Sequence, residues 1–291
     1  MTLIRRSHGV DWEKSKRALK TEVGRAAGLM RSIKNPDAPA LGEWSVAEVA
    51  MHLSQAWAAV PALAKGEVTG TSSAPTSLHD TRRPGFLDDI WTLGEVTRHS
   101  VRSDPERDLE VLARRIENRA TAYLAGGHGE ADDLRTWLVE GVEVGLRTLT
   151  CHLLNETIVH GWDMATADGR QWGITPAHAA MVFDGFVVPA LQALGPRVMV
   201  NQEVAAGLHA TYEMRVKGGG RHVFVFDDGS LSIEAPSSRP VDCIVTADPD
   251  ALLLVVWKRV TQAKAIVERR LVASGPKAWL ATRLPALMRI T

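Results

Sequence analysis

Two separated segments carry the residues best suited to chemistry. One reads Trp44-Ser45-Val46-Ala47-Glu48-Val49-Ala50-Met51-His52-Leu53, the other Glu156-Thr157-Ile158-Val159-His160-Gly161-Trp162-Asp163. On a helix, Glu156 and His160 fall one turn apart on the same face. A carboxylate and an imidazole placed this way can both reach one ion, and zinc accepts both. If His52 comes from a facing helix, three ligands converge with no evident fourth. That describes a catalytic metal site with an open position rather than a closed structural one. The same spacing also fits a hydrogen-bonded pair with no metal, because such pairs are common on helices. His152 lies one turn before Glu156, so spacing alone equally allows the pair His152–Glu156. His52 taken alone fits a core histidine satisfied by a neighbour.

The elements that must position these residues are helical. Asp11 can cap a first helix whose apolar positions include Trp12, Leu19, Val23, Ala26, Met30 and Ile33. Ser45 with Glu48 three residues on is a capping-box signature, and the helix it opens carries His52 to about Ala64, with a possible kink at Pro61. The stretch from Gly66 to Gly85 reads as a loop, rich in Gly, Ser, Thr and Pro. Helices follow from Leu87 to Arg102 and after Pro105, then a loop from Ala125 to Asp133. The second segment lies on a long helix from about Gly145 to Ala167, and one more helix spans Thr175 to Leu194 with Pro189 as a kink. Together these suggest an antiparallel bundle with one long crossover, a place where metal sites are commonly built from facing helices.

After about Val198 the period changes to two. Thr211 to Val216 alternates, Val223 to Phe226 follows a glycine turn, and Asp227-Asp228-Gly229 is a strong hairpin signal before Leu231 to Glu234. Val241 to Thr246 is a fourth strand, Asp248-Pro249-Asp250 opens a helix to about Trp257, and the remainder reads as mostly helical. The expected organisation is a helical domain over 1–197 and a small α+β domain over 198–291.

Composition bounds the function. Lys+Arg and Asp+Glu are both 34, so no basic excess points to nucleic acid. Two cysteines far apart, Cys151 and Cys243, are a cytosolic pattern and not a disulfide framework. The N-terminus has no apolar signal core, and the run Ala251 to Trp257 falls far short of the roughly 20 residues that span a bilayer. The expectation is a soluble, cytoplasmic protein with no membrane or nucleic-acid partner.

Both chemical segments resemble those of the DinB-like, mycothiol-dependent maleylpyruvate isomerase family. That family shows a Trp-Ser…Glu…His-Leu segment followed by Glu-x-x-x-His-Gly-Trp-Asp. The resemblance implies a DinB-like four-helix metal-binding bundle followed by a sterol-carrier-like α+β domain, and it covers nearly the whole chain. It implies that His52, Glu156 and His160 are zinc ligands and that His152 is not one. It implies mycothiol as the thiol cosubstrate, used to isomerise a small electrophile or transferred to it. The family's second domain supplies an arginine from a Gly-Arg segment; here that place reads Trp257-Lys258-Arg259, making Arg259 the candidate catalytic cation.

Thiol chemistry suits such a site. The thiolate is the nucleophile, and a free thiol is mostly protonated at neutral pH. With no cysteine among the ligands, the cosubstrate would bring the only sulfur. Asp163 fits a hydrogen bond to the far nitrogen of a ligand histidine, and fits a cap or an arginine partner equally well. Trp57, Trp91 and Trp162 read as core, Cys151 as a small buried hydrophobe, and Arg82-Arg83 as a solvated pair or an anion contact. Two rivals stand beside thiol-dependent catalysis. One is a small-molecule or lipid-binding protein with a structural metal; the other is a biosynthetic enzyme with changed chemistry on the same fold.

Overall fold

The computed structural model describes residues 9–67, 86–137 and 139–289. Most of the Gly66–Gly85 loop, with Arg82 and Arg83, and the side chain of Trp91 lie outside the described part. The chain divides into two compact units, Asp11–Ile174 and one starting at Thr175. The change of period falls later, at 197/198. A change of period marks where strands begin, whereas a unit boundary lies where cores separate, and the helical run from Pro176 packs within the sheet-bearing unit.

The first unit runs α1 (Trp12–Ser32), β1 (Pro39–Leu41), β2 (Trp44–Ser45), α2 (Val46–Ala64), α3 (Phe86–Ser103), α4 (Leu109–Leu124), β3 (Leu134–Trp137), β4 (Val139–Gly145) and α5 (Leu146–Ala167). Helices α1 and α2 each pack against both α4 and α5. Leu19, Met51, Leu53, Leu112, Ile116 and Leu153 fill the space between them, each at most 1 % exposed. Burying a side chain of this kind contributes roughly 1.5–3 kcal/mol. Helix α1 starts where Asp11 accepts a hydrogen bond from the Lys14 backbone N–H at 3.0 Å. Helix α2 has the full capping box: Ser45 Oγ accepts from Glu48 N–H, and the Glu48 carboxylate accepts from Ser45 N–H at 2.9 Å. That box fixes the start of the helix, and hence the phase at which His52 emerges.

The antiparallel hairpin β3–β4 was not expected from the sequence. Its signal was present but short: Val142 and Val144 are buried while Glu143 between them is exposed. A register shift between Thr136 and Trp137 breaks the alternation.

In the second unit α6 (Pro176–Val182) continues through a π-helical stretch, Phe183–Val187, into α7 (Val188–Leu194). The wider turn falls just before Pro189, which has no N–H to offer and sits in the first turn of α7. Among the described residues, the run Pro176–Leu194 is long and apolar enough to cross a bilayer by length and composition, and is longer than the purely apolar run Ala251–Trp257. Over half of its most apolar window, 56 %, is buried inside the protein. Short helices α8 (Pro196–Met199) and α9 (Gln202–Ala205) precede β5 (His209–Val216), β6 (Arg221–Asp227) and β7 (Ser230–Glu234). These strands form the expected meander, with Asp228 at φ 46 and Gly229 at φ 80 supplying the two left-handed positions of the second turn. Strand β8 (Cys243–Ala247) crosses to the other side of β5 and pairs with it in parallel. Then come α10 (Pro249–Val256), α11 (Gln262–Val267), β9 (Leu271–Ser274) and α12 (Leu284–Leu287). The sheet order is β7-β6-β5-β8-β9. The stretch after α10 is mostly helical, as expected, except for strand β9: four residues at a sheet edge are too few to show a period.

Candidate metal centre

Helix α5 lies against both α1 and α2, so it is buried nearly all round. Among its polar residues, His152, Glu156 and His160 succeed one another at single-turn spacing along one face. Trp57 from α2 locks the neighbouring turn, its indole N–H donating to Thr157 Oγ1 at 3.2 Å. Opposite this stripe α2 presents His52, whose ring lies 5.2 Å from that of Trp44 and 4.8 Å from that of His160.

The two imidazoles converge on one oxygen. His52 Nε2 and His160 Nε2 each lie 3.3 Å from Glu156 Oε2. Charge-assisted N–H···O bonds close to about 2.7–2.9 Å, so these contacts are long for a tight ion pair. They match another geometry. Ligand atoms about 2.0–2.1 Å from a tetrahedral zinc stand about 3.3 Å apart. The donor atoms of the triad all lie within 4.8 Å of one another. His52 Nδ1, on the side of the ring away from Glu156, is buried without a hydrogen-bond partner among the described residues. The donor set of two imidazoles and one carboxylate could therefore hold a divalent metal.

Behind the triad, further side chains hold His160 and Glu156 in place. Asp163 Oδ2 lies 3.0 Å from His160 Nδ1, which orients that ring so that Nε2 faces Glu156. A hydrogen bond to a triad histidine is one of the roles open to Asp163 from sequence. His152 Nε2 lies 3.4 Å from Glu156 Oε1, the other carboxylate oxygen, and Asn155 Nδ2 donates to the same oxygen at 3.3 Å. Trp137, at the end of β3, donates its indole N–H to His152 Nδ1 at 3.3 Å. Trp137 and Asn155 escaped the sequence reading: the first sits on the unrecognised hairpin, and the second is an ordinary neighbour of Glu156.

The electrostatics follow from this packing. Burial pushes the Glu156 carboxyl up, but hydrogen bonds with His152, His160 and His52 outweigh it and hold the group well below the usual carboxylate range. Burial pushes His52 down, offset only in part by Glu156. Burial also works against His160, yet Asp163 and Glu156 overcome it and raise this imidazole to about 9.

The structure brings together His52, Glu156, His160 and Asp163. Arg259 belongs to the second unit, just after α10, where its Nη1 donates to the Trp257 carbonyl at 2.7 Å. Lys258 before it has φ 58, the left-handed backbone that glycine adopts most easily. Of the other residues singled out, Trp57 and Cys151 are fully buried, whereas Trp162 is only half-buried.

The second unit also holds a cavity of about 120 Å³, walled by residues such as Phe183, Val187, Met214, Phe224, Leu252 and Met288. Lys258 and Gln262 are the polar side chains on its lining.

Comparison with known proteins places one part of the chain. Residues 191–289 match the SCP-2 sterol transfer family. The C-terminal part is therefore an SCP2 domain, as the sterol-carrier-like expectation had it. No curated protein matches the sequence. Among solved structures, the stereoselective inverting sec-alkylsulfatase from Pseudomonas sp. aligns at 15% identity over 50% of this chain and 25% of its own, with a TM-score of 0.30. A double mutant of the sec-alkylsulfatase aligns at 14% identity over 93% of this chain and 33% of its own, also at 0.30. This chain spans only a quarter to a third of those proteins, and likenesses this faint carry no functional weight.

Proposed function

We propose that this protein is a metal- and thiol-dependent enzyme, an isomerase or S-transferase that uses mycothiol on a small electrophilic substrate. The observation that carries the proposal is the convergence of His52 Nε2 and His160 Nε2 on a single oxygen of Glu156 at 3.3 Å, with no protein sulfur in the set. The motif resemblance to DinB-like, mycothiol-dependent maleylpyruvate isomerases supports it, as does the SCP2 domain that follows. Bound between these three side chains, zinc would supply one thing: a lowered thiol pKa, so that thiolate prevails at neutral pH.

The chain's own residues do the rest. Asp163 holds His160 in one ring orientation. Burial keeps His52 neutral, the form a ligand requires. Arg259 would stabilise negative charge developing on the substrate. A single well-placed donor of that kind contributes roughly 3–4 kcal/mol to the transition state. Lys258, which stands where the family has glycine, has φ 58, a backbone conformation that glycine adopts most easily.

The test is mass spectrometry for a thiol adduct after metal-loaded protein meets mycothiol and a panel of electrophiles. Turnover is measured in parallel with and without thiol. Arg259→Ala is expected to lower turnover by roughly a hundredfold while leaving metal content unchanged. Full turnover without thiol would remove the mechanism and leave water as the nucleophile.

A second reading, an apolar-ligand carrier, draws on the cavity in the SCP2 domain. At about 120 Å³ it is smaller than an engineered cavity of ~150 Å³ that accepts benzene, so a sterol-sized ligand would require it to open. Binding of a fluorescent fatty acid, unaffected by metal removal, would favour that reading.

A further inference from the structure

His152 is the third imidazole around Glu156, and sequence spacing alone left it a candidate ligand. Its surroundings give it a different task. An indole N–H can only donate, so the contact from Trp137 Nε1 makes His152 Nδ1 an acceptor. The imidazole proton then sits on Nε2, the atom that faces Glu156 Oε1 at 3.4 Å. A ring nitrogen that carries a proton has no lone pair to give a metal. Meanwhile Oε1 is occupied by two donors, His152 and Asn155, while Oε2 faces His52 and His160. The carboxylate is thereby split into a structural oxygen and a ligand oxygen.

We propose that Trp137 and His152 are positioning residues: Trp137 sets the His152 tautomer, and His152 pins Glu156 so that a single oxygen faces the triad. The consequence is specificity of coordination. A bidentate glutamate, or His152 as a fourth ligand, would close the open position that the proposed chemistry requires. The inference rests on the metal-centre reading above for its function, but the hydrogen-bond chain itself does not.

The chain is tested first in metal-free protein by ¹⁵N NMR of labelled imidazoles. His152 is expected to show a protonated Nε2 and a bare Nδ1; the opposite tautomer overturns the proposal. Zinc affinity is then measured by competition with a chromophoric chelator. His152→Ala is expected to bind one equivalent of zinc about 10–100-fold more weakly than wild type. His152→Gln, whose amide can reach the same oxygen, is expected to recover most of that loss. Trp137→Phe, which keeps the packing and removes the donor, should fall between wild type and His152→Ala. Loss of stoichiometric zinc in His152→Ala would make His152 a ligand, and unchanged affinity would make it a bystander; either overturns the proposal. If wild type takes up no zinc, the metal reading fails, while the tautomer measurement still decides the hydrogen-bond chain. Thermal unfolding of each variant checks the fold. Should His152→Ala not fold, His152→Gln and Trp137→Phe carry the test: wild-type affinity in Trp137→Phe together with an altered tautomer would overturn it.

Discussion

Two buried or nearly buried glutamates, one in each unit, solve the same electrostatic problem in opposite ways. Glu213 on β5 is 4% exposed and is flanked by Arg215 and Arg221. Those guanidiniums hold its carboxyl below the usual range, with burial opposing them. Arginine never gives up its charge, so this arrangement is a permanent pairing. Glu156 on α5 is compensated instead by three imidazoles. An imidazole can surrender its proton and offer a lone pair, so its partners can exchange protons for a metal ion. The lesson lies in the choice of partner. A structural carboxylate takes arginines, and a carboxylate surrounded by histidines keeps its environment open to exchange.

The sharpest way to break this contrast is to neutralise each glutamate. Glu156→Gln is expected to drop zinc content from about one equivalent to under a tenth, read by elemental analysis, because the charged carboxylate becomes a neutral amide, a poor zinc ligand. Glu213→Gln should leave metal content untouched. Stoichiometric zinc in Glu156→Gln would sink the site assignment.

A smaller effect separates the two glutamates by stability. Glu213→Ala strands two arginines on the sheet. Because both are partly exposed, the cost should be roughly 1–3 kcal/mol in urea unfolding, less than for a sealed pair. A value near zero would mean that solvent already satisfies Arg215 and Arg221.

Asp163→Asn probes the layer behind the ligands. The expected result is one bound zinc at about 10–100-fold lower affinity, with the fold intact. Wild-type affinity would reduce Asp163 to packing.

The gentlest test uses pH. The folded-state pKa of Glu213 lies below its ordinary value of 4.5. Its contribution to stability is therefore present above about 4.5 and is lost as pH falls through the lower folded value. Between neutral pH and acid, wild type should lose more stability than Glu213→Gln. Parallel curves would show that the arginine pairing contributes nothing to acid sensitivity.

Much of this was legible along the chain. Asp11 and Ser45-Glu48 announce where α1 and α2 begin, because caps are local chemistry. Asp228-Gly229 announces the β6–β7 turn, because only certain residues accept its backbone. The one-turn ladder His152, Glu156, His160 is visible for the same reason, since a helix converts spacing into a shared face. What depended on distant partners stayed hidden. The β3–β4 hairpin, the short edge strand β9 and the grouping of Pro176–Leu194 with the sheet all follow from packing between segments.

The same division runs through the centre itself. Sequence determined that one helix presents three candidate ligands in a row and that another carries His52. Spacing treats His152 and His160 alike, each one turn from Glu156. Only the tertiary structure separates them, by placing Trp137 against one and Asp163 against the other. An indole N–H forces the facing nitrogen to accept, and a carboxylate favours a facing nitrogen that donates. Which of two equally spaced histidines faces the triad with a lone pair is therefore decided by what stands behind it.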